Sequence, residues 1–190
     1  RNNQTQRDVY QSYLSYTGNR HTDLWFLLGD NAYLYGTDQE YQNAFFNIYP
    51  ELLRKTALWP SLGNHDGASV YTPTQSGVYY NIFSLPKNAE AGGTPSGTEA
   101  YYSYDYGNMH MVVLDAFDVD RSSSGAMANW LETDLADTTA DWIIAYWHHP
   151  PYSKGSHDSD NGIELIQMRQ NLLPILERHG VDLVLTGHSE

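Results

Sequence analysis

The sequence predicts an α/β fold, a layered sandwich of mixed β-sheets flanked by helices. Segments with the apolar spacing of amphipathic helices alternate along the chain with short apolar runs, which is the order expected of that class. Two of the runs, residues 141–147 and 181–186, are apolar almost throughout, as is typical of strands covered on both faces. The segments on either side of Gly107-Asn108 predict a hairpin, so part of the sheet is expected to be antiparallel.

The first part of the chain predicts a helix, a strand and a second helix. Residues 4–18 carry apolar and aromatic side chains at helical spacing and end at a glycine. Residues 23–28 form a short apolar run that predicts a buried strand. The second helix is predicted for residues 38–49, with Asp38 as its cap and Pro50 as its stop.

The middle of the chain holds one further strand and a long loop. Residues 56–62 are apolar, but Pro60 cannot donate to a strand ladder, so this strand is expected to lie at an edge or to end there. Residues 67–97 are rich in Gly, Pro, Ser, Thr and Asn and predict an irregular excursion with one helical turn at 79–83. Loops of this length in compact domains usually have a function.

The last part of the chain adds two helices to the hairpin and the two apolar strands. Residues 124–138 predict an amphipathic helix, and residues 163–180 predict another that Pro174 kinks or restarts. With 190 residues, of which 41% are hydrophobic, the chain is long enough for one folded domain over residues 1–190. Because the first residue is Arg1 rather than a methionine, we expect a fragment truncated at both ends.

Charge and composition exclude several classes of partner. The chain holds 23 acidic and 10 basic side chains, and this net charge of −13 disfavours binding to nucleic-acid backbones and to anionic membrane surfaces. An anionic substrate would need a local positive charge, which a metal ion can supply. The absence of cysteine excludes disulfides and thiolate metal sites. No apolar run approaches the roughly 20 residues of a membrane helix or has the pattern of a signal peptide.

Metal-capable side chains follow four of the predicted strands, at the point where each strand ends. The four tips are Gly29-Asp30-Asn31-Ala32-Tyr33, Gly63-Asn64-His65-Asp66, His148-His149-Pro150-Pro151-Tyr152 and Gly187-His188-Ser189-Glu190. Because the carboxyl ends of strands in an α/β sheet face one crevice, we expect these side chains to lie close together. Oxygen and imidazole donors without thiolate suit Fe, Mn or Zn, so the tips predict a metal site.

Each of these side chains also has a purely structural interpretation. Asp30 and Asn64 can cap turns, and Tyr33 is one of 16 tyrosines that can simply pack in a core. His65 can orient a neighbour, with Asp66 as its hydrogen-bond partner. The recurrence of the pattern at four strand ends favours the metal interpretation over these alternatives.

Other candidate residues are weaker. His149 competes with its neighbour His148 for a ligand role, and His157 lies in a polar loop where solvated histidines are common. Asp115 follows an apolar strand without a glycine or a partner ligand beside it, so we expect it to cap a turn. Three histidines lack a strand-tip context and are expected to be structural or at the surface: His21, His110 and His179.

The order of motifs GDxxY, GNHD, HHPPY and GH resembles the calcineurin-like metallophosphoesterase superfamily over residues 29–190. Tyr33, three residues after Asp30, resembles the purple acid phosphatase branch of that superfamily. The resemblance implies that Asp30 bridges two metal ions and that Tyr33 binds an Fe(III)-type site as tyrosinate. It further implies the second-metal ligands Asn64, His148 and His188, the leaving-group acid His65, and the substrate contact His157.

Two departures from the family pattern bear on the first metal. The family carries an aspartate ligand in a D-x-G motif on a strand before the first helix, and the resemblance implies that this chain lacks that strand. The family ends its last motif as GHxH, whereas position 190 is Glu190 here. Glu190 could ligate through oxygen, which would lower the net charge of the site and change its metal preference.

By the same resemblance, the expected function is hydrolysis of phosphate monoesters at a dinuclear centre with a metal-bound hydroxide as nucleophile. The implied cofactors are two metal ions, Fe(III) with Fe(II), Zn or Mn, and the implied partner is a small phosphorylated substrate. Two alternatives stay open: a phosphodiesterase or nucleotide-cleaving hydrolase on the same centre, and a silent metal- or phosphate-binding domain. The resemblance and the lack of cysteine are compatible with a secreted or periplasmic protein.

Overall fold

The computed structural model describes residues 2–189, in which helices and strands alternate as the sequence predicts. The strands are β1 (Leu24–Leu27), β2 (Ala57–Pro60), β3 (Val70–Tyr71), β4 (Ser76–Gly77), β5 (Tyr102–Tyr106), β6 (Met109–Val113), β7 (Trp142–Tyr146) and β8 (Leu183–Leu185). The helices are α1 (Gln4–Thr17), α2 (Asp38–Tyr41), α3 (Pro50–Leu53), α4 (Asn64–Gly67), α5 (Val78–Ile82), α6 (Ala126–Asp137), α7 (Ile163–Gln167) and α8 (Leu173–Arg178). No helix among these residues is both long enough and apolar enough to cross a bilayer.

The strands of the described residues form a mixed arrangement. β1 and β2 pair in parallel, and β3 and β4 form a two-residue antiparallel ladder inside the predicted loop. The larger sheet has the order β5-β6-β7-β8, in which β5 and β6 are antiparallel and the remaining pairs are parallel. The predicted α/β class, the hairpin at Gly107-Asn108 and the short helix near residues 79–83 are therefore confirmed.

Several boundaries differ from the prediction. The cap of α2 is Thr37 rather than Asp38, because the Thr37 hydroxyl accepts from the backbone of Glu40. Pro50 does not end the second helix. A π-helical segment at Gln42–Phe46 ends it. Pro50 instead begins α3, where its missing N–H costs nothing. Another π-helical segment at Met168–Leu172 separates α7 from α8 and accommodates Pro174 near the start of α8.

The two apolar strands are less covered than predicted. Trp142 at the start of β7 is 54% exposed and Leu183 at the start of β8 is 45% exposed, so coverage on both faces is wrong at these ends. The end of β7 that leads to the site is buried as predicted, because Tyr146 and Trp147 there have no exposed surface.

Alternate residues of β6 face two separate cores. Val112 and Leu114 pack against α6 and the helical segment around Met168. Met111 and Val113 face the layer between the four-stranded sheet and the β1-β2 pair. The four-stranded sheet is therefore the middle layer of the sandwich, with helices on one face and the β1-β2 pair on the other.

Tyrosine side chains join the two sheets across that inner layer. The hydroxyl of Tyr102 donates to the carbonyl of Pro60 at 2.8 Å, and that of Tyr146 donates to the carbonyl of Trp59 at 3.1 Å. The Trp59 and Tyr104 rings stack with centroids 3.7 Å apart and an interplanar angle of 8°. Each such hydrogen bond contributes about 1 kcal/mol, and the stacked pair a similar amount. These contacts hold β2 against the larger sheet.

Candidate metal centre

The strand tips meet because glycine lets the backbone of one tip touch the next. A Cβ on Gly29 would lie 2.6 Å from Nδ1 of His148, and a Cβ on Gly63 would lie 2.1 Å from the amide nitrogen of Asp30. Neither distance is possible for a real side chain, so both positions require glycine. Asp30 and His188 themselves adopt φ values of 53° and 68°. Non-glycine residues are uncommon in this region and cluster at functional sites, where the surrounding structure holds them.

Three of the predicted ligands converge on one point. Asp30, His148 and His188 each offer one ligand atom, and these atoms lie within 4.8 Å of one another. Nε2 of His148 lies 3.2 Å from Oδ2 of Asp30 and 3.1 Å from Nδ1 of His188. Oδ1 of Asn64 lies 3.2 Å from the same Nε2. Ligands around a tetrahedral ion with bonds near 2.1 Å are about 3.4 Å apart, so this donor set fits a metal ion.

His148 is oriented as a metal ligand needs. Its Nδ1 donates to the carbonyl of Leu28 at 2.8 Å, which directs Nε2, the nitrogen that would bind a metal ion, toward Asp30. A backbone carbonyl on the far nitrogen is the usual way in which proteins orient a metal-binding histidine. The ring of His149 instead packs against the His188 ring, with centroids 4.3 Å apart. Of the two neighbouring histidines, His148 is thus the one that presents a nitrogen to the cluster.

Tyr33 and His148 contact the same carboxylate oxygen of Asp30. The Tyr33 hydroxyl donates to Oδ2 of Asp30 at 3.1 Å, and this is also the oxygen that faces His148. Oδ1 of Asp30 accepts from the backbone N–H of His65 at 3.0 Å. A bridge between the Tyr33 side and the His148 side would therefore run through Oδ2. The predicted ligand Glu190 lies outside the described residues.

The pKa shifts favour the ligand forms of two of these residues. Burial pushes the pKa of Asp30 upward, but the hydrogen bond and charge of His148, with smaller contributions from His65, outweigh it and lower the pKa to about 2. Burial, together with the nearby His148 and His157, lowers the pKa of His188 to about 4. At neutral pH the cluster thus contains a carboxylate and a neutral imidazole.

The two residues predicted to act on substrate border a cavity of about 370 Å³. His65 places Nε2 4.0 Å from Oδ2 of Asp30, and the His157 ring stacks on the His188 ring with centroids 3.8 Å apart. The described residues that line the cavity are Asp30, Tyr33, Asn64, His65, Ser156, His157 and His188. None of these is Lys or Arg, so compensation for an anionic substrate must come from bound metal and from histidine.

Asp66 has a different role from the one predicted, because Nδ1 of His65 bonds to the carbonyl of Leu34 at 2.7 Å. Asp66 is fully buried and accepts from the backbone of Asn31 and of Gly63 at 3.1 and 3.2 Å. The Tyr41 hydroxyl donates to it at 2.7 Å. This carboxylate ties the loop after β1 to the turn after β2, so it holds two tips of the site together.

The residues expected to be structural lie away from the centre. His110 is buried between the carboxylates of Asp105 and Asp134, at 2.7 and 2.9 Å. Oδ1 of Asp115 accepts from the backbone N–H groups of residues 117 and 118, which is the turn cap that the sequence predicts. His179 pairs with Glu132 at 2.8 Å, and His21 is exposed.

Comparisons with known proteins identify the family of the chain. The family model for the calcineurin-like phosphoesterases matches residues 5–189. Purple acid phosphatase 23 of Arabidopsis thaliana is 32% identical over 129 residues, which cover 66% of this chain and 26% of the relative. The match to the structure of purple acid phosphatase PPD1 from yellow lupin (Lupinus luteus) seeds covers 97% of this chain and 33% of the lupin chain, with a TM-score of 0.60 and 16% identity. The structure of PhoD matches 93% of this chain and 47% of its own, also with a TM-score of 0.60 and 16% identity.

The chain therefore spans between about a quarter and a half of the proteins it matches. Purple acid phosphatases are found by both the sequence and the structural comparison, which confirms the resemblance seen in the motifs. From the strand-tip motifs, the layered fold and a family match over nearly its full length, we conclude that the chain belongs to the calcineurin-like phosphoesterase family.

Proposed function

We propose that this chain carries a metal-dependent hydrolase site for phosphate monoesters. The observation that carries the proposal is the convergence of Asp30, His148 and His188 beside the cavity that His65 and His157 border. Membership in the calcineurin-like phosphoesterase family supports the general class of reaction. The small and strongly polar cavity favours a phosphorylated small molecule as substrate.

The donor set supports one metal position and, less completely, a second position beside it. Asn64, His148 and His188 surround one position together with Asp30, and Tyr33 adjoins Asp30 on the other side. Nitrogen and oxygen donors of this kind suit Fe, Zn or Mn, and a tyrosinate favours Fe(III) at the position beside Tyr33. Bound ions supply Lewis acidity, offset the charge of the phosphate and activate water as a nucleophile.

The protein side chains in this proposal hold the substrate and move one proton. A hydroxide ion, formed when water loses a proton to solvent, attacks phosphorus, and the P–O bond to the ester oxygen breaks on the opposite side. His65 acts as the imidazolium: Nε2 gives its proton to the departing oxygen, and Nδ1–H keeps its hydrogen bond to the carbonyl of Leu34, which leaves the neutral Nδ1–H tautomer. His157, on the exposed side of the cavity, contacts the phosphate oxygens.

The test is turnover of p-nitrophenyl phosphate by the purified chain after reconstitution with iron, zinc or manganese. We expect His148→Ala to lose metal and at least 100-fold in kcat/KM, because removing a ligand removes the Lewis acid. His21→Ala, on an exposed histidine, is the matched control and is expected to keep both. Bound metal is counted by elemental analysis in all three proteins.

Two outcomes would contradict the proposal. Uptake of metal without any turnover would favour a silent binding domain, and equal activity of His148→Ala and wild type would place the chemistry elsewhere. Faster cleavage of bis(p-nitrophenyl) phosphate than of the monoester would replace the monoesterase with a phosphodiesterase on the same residues.

A further inference from the structure

The side chain of Glu40 accepts several hydrogen bonds from the loop that follows Tyr33. Its Oε2 accepts from the backbone N–H groups of Tyr35 and Thr37, both at 3.0 Å, and from the Thr37 hydroxyl at 3.0 Å. Its Oε1 accepts from the backbone N–H of Leu34. One half-buried carboxylate thus holds three backbone donors of a loop in which the side chains of Leu34 and Tyr35 are exposed.

The same loop holds the ring of His65. The N–H of Leu34 bonds to Glu40, and the carbonyl of Leu34 accepts from Nδ1 of His65 at 2.7 Å. Nε2 of His65 then faces Asp30, with 4.0 Å between Nε2 and Oδ2. The Tyr33 ring packs against the His65 ring, with ring centroids 4.4 Å apart. The direction of the His65 ring therefore depends on where the Leu34 carbonyl is placed.

We propose that Glu40 is a positioning residue, which acts through the Leu34 peptide to hold His65 in the Nδ1–H tautomer with Nε2 toward the cavity. The inference rests on the proposed function for its consequence in catalysis. Glu40 does not line the cavity among the described residues, and it acts on His65 without touching substrate.

A helix cap alone does not account for these contacts. Thr37 and Glu40 form a capping box at the start of α2, which uses the N–H of Thr37 and of Glu40. The bonds to Leu34 and Tyr35 reach six and five residues back along the chain, outside the helix. Burial raises the pKa of Glu40, but the N–H groups of Thr37, Tyr35 and Leu34 outweigh it and lower the pKa, so the acceptor is a carboxylate at neutral pH.

The experiment compares Glu40→Ala and Glu40→Gln with Thr37→Val. Thr37→Val removes the side-chain half of the capping box while the backbone bonds from Glu40 to Leu34 and Tyr35 stay. Glu40→Gln keeps one acceptor oxygen, so it tests whether a conservative replacement restores the orientation of His65. It also replaces Glu40→Ala in the comparison if the alanine variant does not fold. The first readout is nitrogen-15 NMR of the His65 imidazole in the metal-free chain. The second is kcat and KM for p-nitrophenyl phosphate after reconstitution.

We expect wild type and Thr37→Val to show His65 as the Nδ1–H tautomer and to have the same kcat, although Thr37→Val melts at a lower temperature. Glu40→Ala should show a mixture of both tautomers and a kcat about 10-fold lower, with KM within about twofold, because removing an orienting residue typically costs 10- to 100-fold. Glu40→Gln should lie between the two.

Three results would overturn the inference. The first is a single Nδ1–H tautomer in Glu40→Ala, and the second is an unchanged kcat in that variant. The third is a fall in kcat for Thr37→Val as large as that for Glu40→Ala, which would reduce Glu40 to a helix cap. If reconstituted wild type has no activity, the proposed function fails, and the NMR comparison still decides whether Glu40 orients His65.

Discussion

Replacing Asp66 with alanine is expected to loosen two tips of the site at once. The carboxylate accepts from the backbone N–H groups of Asn31, Ala32 and Gly63, from the Asn31 amide and from the Tyr41 hydroxyl. Asp66 is fully buried, so bulk water does not reach these partners in the wild-type protein. The variant therefore leaves several polar groups without an acceptor, between the loop after β1 and the turn after β2.

The size of the loss follows from the number and burial of these donors. Each buried donor left without a partner costs about 1–3 kcal/mol, but water entering the new space recovers part of that cost. Burial also raises the pKa of Asp66, so removing the carboxylate relieves some desolvation. We expect a net loss of about 3–5 kcal/mol in the free energy of unfolding, which is the cost of several unpaired buried donors less that recovery. For a domain of this size that corresponds to a Tm lower by about 6–20 °C.

Thermal unfolding followed by circular dichroism measures the change, and Asp137→Ala is the matched control because Asp137 is exposed at the end of α6. The control should melt close to wild type, while Asp66→Asn should lie between wild type and Asp66→Ala, since asparagine keeps one acceptor oxygen. Metal affinity of Asp66→Ala should fall about 10- to 100-fold because Asp30 and Asn64 lose their support. A Tm for Asp66→Ala within about 2 °C of wild type would refute this reasoning.

Three further predictions concern the metal, a glycine and a buried histidine. Chelation with EDTA should lower the Tm by removing up to about 3 kcal/mol of stabilisation at metal concentrations 100-fold above Kd, and no Tm change on re-addition of metal would contradict the site. Gly63→Ala should lose metal binding in a titration, since its Cβ would lie 2.1 Å from the amide nitrogen of Asp30. Burial lowers the pKa of His110, but Asp134 and Asp105 outweigh it and raise the pKa, so the stability from this cluster is complete below about pH 6.5 and is lost as pH rises through the folded-state pKa. The Tm of wild type should therefore fall relative to that of His110→Gln between about pH 6 and 9, and parallel curves would contradict it.

The parts of the site that follow strands could be predicted from the sequence. Apolar runs that end in a glycine and a polar residue mark strand ends, and parallel neighbours bring those ends to one edge. Asp30, Asn64, His148 and His188 were predicted to be neighbours for this reason, and the structure brings them together. Their roles as metal ligands stay predictions.

The residues that support the site were harder to predict. The bonds of Asp66 and Glu40 run to backbone groups of loops, and those loops take their form only when the sheets have packed. One local signal was available: Thr37-Asp38-Gln39-Glu40 has the spacing of a capping box, which identifies Thr37 rather than Asp38 as the cap. The π-helical segment at Gln42–Phe46 has no comparable signal in the pattern of apolar residues.

The tyrosine hydroxyls between the sheets affect the geometry of the candidate metal centre as well as the stability of the core. Within the described residues, Asp30 and Asn64 follow strands of one sheet, whereas His148 and His188 follow strands of another, and no strand ladder joins the two. The distance between the two halves of the centre therefore depends on contacts between the layers, which are the His148–Leu28 bond at the site and phenol-to-carbonyl bonds such as those of Tyr102 and Tyr146, deeper in the sandwich. Exchange of such a tyrosine for phenylalanine would let one layer slide over the other. The spacing of the donors, and with it the choice of ion, could thus drift during evolution without the replacement of any ligand.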